Sequence, residues 1–439
     1  MTTHAADRRR LPRQQAGIVL LLFSGYAAYY FCRADLSVAT PLLVEELRSR
    51  GVPAATALVR IGALSSAGVF AYALGKLFLG GLGDLWGGRR SFLIGLGGAT
   101  LFTLLFAAGG ALPVFTLAWI GNRLTQSLGW AGLLKVCSKW FDYSSYGTIV
   151  GILSLSYLIG DAVARQIMGQ LIEAGFGWRA LFGCAAAVAG ALFVVNGVLL
   201  RESRLEAGHA EATVNPLNLF GASEQRPRGI LELLRPLLSS RAFLLVCLLS
   251  FGCTVVRETF NTWTPEYLRS YLGYSAGSAG KWSSLFPAVG AVSVLVTGWL
   301  SDRCGANGRS LLLLVGLTAT AVALALLMAA PPGQANSVLP LVLIGVVAFC
   351  LLGPYSYLGG AIALDFGGRQ AGAASSGVID GIGYLGGVLA GDTVARIAAE
   401  YGWRGVFVAL AAVSAAAALA ALALFLHQAR RALGTQSSV

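Results

Sequence analysis

The chain has 439 residues, of which 56% are hydrophobic and only 12% are charged, and its mean hydropathy is +0.71. About a quarter of the residues in a soluble protein are charged, so this composition excludes an ordinary soluble domain and indicates a multi-pass membrane protein. The net charge of +12 is mostly explained by membrane topology, so nucleic acid is not an expected partner.

Apolar runs recur along the whole chain, each long enough to cross a hydrocarbon core of about 30 Å. The first six predicted spans lie at 16–41, 61–83, 90–110, 112–138, 146–172 and 178–200. Six more follow a polar segment, at 242–268, 277–300, 309–331, 337–364, 371–398 and 403–427. We therefore predict an all-α membrane protein with twelve transmembrane helices in two pseudo-symmetric six-helix bundles. The predicted parts are an N-terminal bundle at 1–200, a cytoplasmic linker at 201–241, a C-terminal bundle at 242–427 and a cytoplasmic tail at 428–439.

Basic residues are distributed unequally between the two sets of loops. With the N-terminus inside, the loops on that side hold more than twice as many as the other. The positive-inside rule therefore predicts a cell (inner or plasma) membrane protein with both termini cytoplasmic. The three histidines lie at the ends or in the middle loop, and the seven cysteines show no paired spacing, so we expect no metal, cofactor or disulfide framework. No nucleotide-binding loop or catalytic motif is visible, and a monomer that is not an enzyme is expected.

Two arginines lie inside apolar runs and share the spacing R-x6-T-P. They are Arg33, followed by Thr40 and Pro41, and Arg257, followed by Thr264 and Pro265. An arginine near mid-bilayer costs roughly 2.5–3.5 kcal/mol on insertion scales, so such residues usually serve a function. The planar guanidinium suits a phosphate group because it gives two parallel charge-assisted hydrogen bonds. The alternative is a structural pair with a nearby acid, such as Asp35 or Glu258.

Landmarks in the first half recur in the second half at similar offsets. Arg33 and Arg257 are 224 residues apart, and the Gly-Trp-Arg that begins at Gly177 recurs 225 residues later at Gly402. The loop aspartates Asp84 and Asp302 are 218 apart. These offsets indicate duplication of a six-helix unit. Because six is even, the copies are expected to be parallel repeats about an axis along the membrane normal.

Several polar side chains are spaced to share helix faces with these cations. Tyr26, Tyr30 and Arg33 follow at i, i+4 and i+7, and Tyr72 and Lys76 are four residues apart. Phenol hydroxyls can bind phosphate or sugar oxygens, whereas the alternative for these rings is packing within the membrane.

Acidic residues inside the spans have two interpretations. Asp161 precedes Arg165, and Asp392 precedes Arg396, both at i, i+4, which favours neutral pairs within one helix. The alternative is proton uptake at Asp161, Asp380 or Asp392, which would couple transport to protons.

The loops at 80–90 and 298–309 resemble the G-x-x-x-D-x-x-G-[RK]-[RK] signature of the major facilitator superfamily, closely in the first half and in a degenerate form in the second. The resemblance implies the major facilitator fold. It also implies gating or bracing roles, without substrate contact, for Asp84, Arg89, Arg90 and Asp302.

A narrower resemblance begins at Gly25-Tyr26 and reaches Arg33. It continues at Tyr72-x3-Lys76, Gly129-Trp130, Arg257 with Trp263-Thr264-Pro265, and the segment that begins at Gly383-Tyr384. In these motifs the chain resembles the organophosphate:phosphate antiporters, which include glycerol-phosphate and hexose-phosphate transporters. It departs from many members at Ala34, where they have lysine, and from some at Tyr157, where they have histidine.

The resemblance implies alternating-access exchange of a phosphorylated small metabolite for inorganic phosphate. The expected substrate-binding residues are Arg33, Arg257, Lys76, Tyr26, Tyr30, Tyr72, Trp130, Tyr157 and Tyr384. Two alternatives stay open: a membrane sensor for an external sugar phosphate, and a proton-coupled symporter of another organic anion. Glycerol phosphate, hexose phosphate, phosphoglycerate and phosphoenolpyruvate are all compatible substrates.

Overall fold

The computed structural model of the chain describes residues 2–79, 86–212, 235, 237–303, 308–333, 335 and 337–436. Within these residues every regular element is helical, and none is a β-strand. Asp84, the side chain of Asp302, most of the predicted linker and the end of the predicted tail lie outside the described residues.

The first half of the chain forms six long helices in the described residues. They are α1 (Thr2–Ser49), α2 (Ala54–Leu79), α3 (Gly88–Ala108), α4 (Leu112–Trp140), α5 (Tyr143–Glu173) and α6 (Trp178–Leu199). All six predicted spans of this half fall within them or overlap them. Helix α1 extends well beyond the predicted limits of 16–41, because its polar ends continue the helix past the apolar run that the prediction followed.

The second half also consists of helices in its described residues, but they are more often interrupted. Its helices are α7 (Arg241–Glu266), α8 (Ala276–Trp282), α9 (Leu285–Arg303), α10 (Gly308–Met328), α11 (Leu339–Tyr355), α12 (Ala363–Leu389) and α13 (Asp392–Gln436). Short π-helical turns follow α7 and α11, at Tyr267–Tyr271 and Leu358–Ile362. Each turn comes shortly after a proline, Pro265 or Pro354, which cannot donate a helical hydrogen bond.

One predicted interruption differs from the structure, and another coincides with a bend. The expected loop at 365–370 is helical and belongs to α12, so its glycines and charged residues do not end the helix. The chain instead breaks between Leu389 and Asp392, and bends again at Gly402. Gly402 has φ of 69°, a left-handed conformation that favours glycine, and it separates the last two predicted spans.

By its internal contacts the chain divides into two compact units. The first comprises Met1–Leu36 and Ala71–Asn218, and the second comprises Ser37–Phe70 and Leu219–Val439. The predicted domain limits stay a prediction.

The core of the first unit is built on aromatic stacking and on glycines where helices meet. Phe106 and Phe182 stack with ring centroids 4.4 Å apart, which joins α3 to α6. A Cβ on Gly88 would lie 2.7 Å from the carbonyl oxygen of Gly132, so only glycine permits this approach of α3 to α4.

In the second unit, the segment Ser37–Phe70 packs against helices from the second half of the sequence. The hydroxyl of Ser37 donates to the carbonyls of Asn261 and Thr262, at 2.7 and 2.8 Å. The hydroxyl of Ser66 donates to the Val388 carbonyl at 2.5 Å and accepts from the Asp392 amide at 2.8 Å. The two bonds of Ser66 satisfy backbone groups where α12 ends and α13 begins.

Candidate functional site

Arg33 lies on α1 in the first unit and is half-buried among polar and aromatic side chains. Its Nε donates to Gln126 Oε1 at 3.2 Å, and a terminal nitrogen donates to the Tyr30 hydroxyl at 3.2 Å. The guanidinium carbon lies 4.7 Å from the Tyr30 ring centroid and 4.4 Å from that of Tyr72. Such contacts orient the guanidinium through neutral groups, and the ring faces favour its positive charge.

Gln126 is held in place by a buried chain of hydrogen bonds that sequence reasoning missed. Its amide nitrogen donates to the Cys32 carbonyl at 3.0 Å and to Asn122 Oδ1 at 2.5 Å. Asn122 in turn donates to Thr103 Oγ1 at 2.9 Å and to the Ala99 carbonyl at 3.2 Å. The available signal was the pair of amides at i, i+4 in the apolar helix α4, facing α1 and α3.

Aromatic rings extend from Arg33 as one connected cluster, which we call the aryl cluster: Tyr26, Tyr30, Tyr72, Trp130 and Tyr157. Ring centroids are 5.9 Å apart for Tyr26 and Tyr30, 5.2 Å for Tyr26 and Trp130, and 5.7 Å for Tyr30 and Tyr157. Lys76 Nζ lies 5.4 Å from the Tyr72 ring. The structure thus brings together all seven of the predicted substrate-binding residues that belong to the first unit.

Arg257 lies on α7 in the second unit and has a different set of neighbours. Its terminal nitrogen forms an ion pair with Glu258 Oε1 at 2.7 Å, which is the acid pairing that the alternative interpretation allows. Its guanidinium carbon lies 4.7 Å from the ring of Tyr355 and 5.4 Å from that of Tyr384. Tyr384 was a predicted site residue, whereas Tyr355 was missed because no motif or spacing distinguished it.

Asp35 was the acid considered as a partner for Arg33. Its carboxylate is fully buried, and Oδ1 accepts from the backbone amide of Leu36 at 2.7 Å. Arg123 on α4 is a cation near this carboxylate.

The intramembrane acids take up three different arrangements. Asp161 and Arg165 form a buried ion pair of 3.0 Å within α5. Asp392 and Arg396 form a more exposed pair of 2.7 Å at the start of α13. Asp380 packs against Gly359, where a Cβ would lie 2.6 Å from its carboxylate oxygen. The two ion pairs fit neutralisation within one helix, and proton uptake at these three positions stays a prediction.

A carboxylate near the end of the first unit caps α3. Glu202 accepts from the backbone amides of Gly88 and Arg89, at 2.9 and 2.6 Å, and from Lys139 Nζ at 2.6 Å. Partial burial alone would raise the pKa of Glu202, but the bonds from Lys139 and from the two amides lower it overall. The arrangement suits the predicted bracing role of Arg89, whose side chain also donates to the Gly197 carbonyl. Arg90 is exposed.

A membrane fold of this kind, with an arginine among aromatic rings in each unit, is that of a solute carrier. Residues 22–391 match the model of the Major Facilitator Superfamily, and the chain belongs to that superfamily.

Two relatives and one solved structure align over nearly all of the chain. A probable hexose phosphate transport protein of Chlamydia trachomatis is 28% identical, over 92% of this chain and 89% of its own length. The membrane sensor protein UhpC of Escherichia coli is 26% identical, over 93% and 90%. The structure of a bacterial homolog to the human lysosomal transporter Spinster has a TM-score of 0.74 at 15% identity, over 94% and 97%. These findings confirm the predicted twelve-helix fold and the resemblance to the organophosphate:phosphate antiporters.

Proposed function

We propose that the chain exchanges a phosphorylated small metabolite for inorganic phosphate by alternating access, with both termini cytoplasmic. The observation that carries this proposal is the environment of Arg33. Gln126 and Tyr30, which are both uncharged, orient its guanidinium, and Lys76 brings a second cation close to the Tyr72 ring. The similarity to a probable hexose phosphate transport protein supports a sugar phosphate as the organic substrate.

The chemistry of the two ends of such a substrate matches the residues near Arg33. Guanidinium and ammonium groups bind phosphoryl oxygens through charge-assisted hydrogen bonds. Tyrosine and tryptophan rings of the aryl cluster provide apolar faces for the carbon skeleton and polar tips for its hydroxyls. A bound dianion offsets the positive charge of the site, so the loaded protein crosses between its states more easily than the empty one.

The test is counterflow in liposomes that contain the purified full-length protein and internal sugar phosphate. Uptake of radiolabelled inorganic phosphate is expected for the wild type, and Arg33→Lys and Arg257→Lys are each expected to abolish it, because lysine cannot make the planar two-bond contact. Arg165→Lys is the matched control, since Arg165 is a buried arginine whose ion pair with Asp161 stays within one helix. Exchange that survives both site variants contradicts the proposal.

A second candidate is a sensor of external sugar phosphate, favoured by the 26% identity to the membrane sensor protein UhpC. A sensor needs the binding residues but not the transport cycle. Tight binding of hexose phosphate to the purified protein, with no flux in the same liposomes, supports the sensor and excludes the exchanger.

A further inference from the structure

Arg257 and Glu258 are adjacent in the sequence, yet their side chains form a direct ion pair. The distance from the guanidinium nitrogen to Glu258 Oε1 is 2.7 Å, and the two side chains are only 12% and 9% exposed. Neighbouring residues on a helix point in different directions, so both side chains must bend towards each other to meet. A poorly hydrated carboxylate and guanidinium gain from this contact, because the interaction between charges strengthens as the dielectric falls.

The ion pair is closely packed by α12 at Glu258 and by two tyrosine rings at Arg257. A Cβ on Gly387 of α12 would lie 3.1 Å from Glu258 Cγ, so this glycine leaves space for the acid. Tyr355 and Tyr384 face Arg257. Among the described residues, Asp380 lies near Tyr355 and Cys253 lies near Arg257.

The described hydrogen bonds of the two arginines of the repeat differ. Arg33 is oriented by an amide and a phenol, whereas Arg257 has a carboxylate oxygen at hydrogen-bond distance. A phosphoryl oxygen binds a guanidinium through the same N–H groups and at a similar distance. Glu258 thus occupies a position on Arg257 that an anionic substrate would use, and it competes with that substrate.

We propose that Glu258 is a proton-binding site that gates access of anions to Arg257. When a phosphate or phosphoryl group binds, its oxygen replaces Glu258 Oε1 at the guanidinium. The displaced carboxylate is then separated from Arg257 and lies near a second anion, so it takes up one proton from water. One proton is bound with each anion, and acid conditions favour loading. The inference rests on the proposed function, because it assigns regulation to the same site.

The test compares Glu258→Gln with the wild type and with Glu266→Gln. Glutamine keeps the shape of the side chain but neither carries a charge nor binds a proton in this pH range. Glu266 is the matched control, since it is a second buried carboxylate at the end of the same helix and does not pair with Arg257 in the described contacts. The probe is radiolabelled inorganic phosphate, whose equilibrium binding to the purified full-length protein is measured between about pH 5.5 and about pH 8.

Glu258→Gln is expected to bind phosphate on the order of tenfold more tightly than the wild type at about pH 8, because the competing carboxylate is gone. The two affinities should converge at acid pH, and Glu266→Gln should follow the wild type throughout. Phosphate itself titrates in this range, but its ionisation is common to all three proteins, so the ratio of affinities isolates Glu258. The wild type should also take up about one more proton per bound phosphate than Glu258→Gln in weakly buffered solution.

An affinity ratio that does not change with pH overturns the inference, as does a folded Glu258→Gln protein that loses phosphate binding at every pH. Glu258→Asp keeps an ionisable group and serves if the glutamine variant does not fold. It is expected to retain the pH dependence, and a flat profile overturns the inference equally. If the wild type binds no phosphate at any pH, the proposed function itself fails, and that outcome is distinct from both.

Discussion

The hydrogen bond from Arg33 to Gln126 predicts how much phosphate affinity is lost when Gln126 is replaced. Gln126→Ala removes the Oε1 acceptor, which lies 3.2 Å from Arg33 Nε in the wild type. A hydrogen bond that involves a charged group contributes about 1.5–3 kcal/mol, and each 1.4 kcal/mol is a tenfold change in affinity. Phosphate affinity should therefore fall by about tenfold to about a hundredfold.

The same substitution also affects the folded state, and the two effects must be separated. Without Gln126 the Cys32 carbonyl loses a side-chain donor and the buried Asn122 Oδ1 loses its donor, and a buried acceptor left unsatisfied costs about 1–3 kcal/mol. Thr103→Val is the matched control, because Thr103 accepts from Asn122 at the far end of the same chain of bonds. It should lower the melting temperature but leave phosphate affinity within about twofold of the wild type.

The assay is radiolabelled phosphate binding to the purified protein, with melting temperatures measured with and without phosphate. A ligand that binds only the folded protein raises the melting temperature by mass action, so the phosphate-induced shift should shrink for Gln126→Ala and persist for Thr103→Val. Wild-type affinity in a folded Gln126→Ala protein refutes the view that Gln126 orients Arg33 for its ligand.

Two further substitutions test the packing and the cap. Gly386→Ala should destabilise the protein, because a Cβ there would lie 2.6 Å from the Phe251 carbonyl oxygen. The control is Gly377→Ala on the same helix, where a Cβ meets nothing within 4 Å, and it should be neutral or mildly stabilising in a thermal melt. Glu202→Gln should lower stability by about 1 kcal/mol at neutral pH, because it removes the charge that accepts from Lys139 and from the start of α3. Since the pKa of Glu202 is lowered on folding, its stabilisation is present above the ordinary glutamate pKa of about 4.3 and is lost as the pH falls through the folded value. The variant should therefore lose the part of the acid-side decline in stability that Glu202 causes, and a variant with an unchanged pH profile contradicts the assignment.

Most of the fold could be predicted from the sequence, because a helix that crosses lipid must be apolar over about 20 residues and so marks its own position. The same argument fails where a polar segment stays helical. Residues 365–370 contain an acid, an arginine and two glycines, yet α12 continues through them. Hydropathy measures preference for lipid, whereas helix continuation depends on backbone hydrogen bonds that polar side chains do not prevent.

The first-unit site was equally accessible, since helical spacing alone places Tyr26, Tyr30 and Arg33 on one face. The residue that supports Arg33 could not be predicted in the same way. Gln126 contacts Arg33 from another helix. Contacts between helices depend on how the helices pack, and residue spacing within one helix does not show that packing. Glu258 was visible only as a possible partner, because the rule that adjacent helical residues diverge argues against the pair that forms.

The difference between Arg33 and Arg257 bears on the energetics of transport. The residue after Arg33 is Ala34, which carries no charge, and the residue after Arg257 is an acid, so the two dipeptides together have a net charge of +1 while Glu258 is ionised. Binding a phosphate dianion alone changes the charge of the carrier by −2, whereas binding it with the proton on Glu258 changes the charge by −1. A charge moved across the membrane potential costs about 2.3 kcal/mol per 100 mV. A carrier that binds a proton with each anion therefore moves one negative charge fewer against a negative interior potential. The smaller electrical cost favours net loading of an anion that the potential would otherwise exclude.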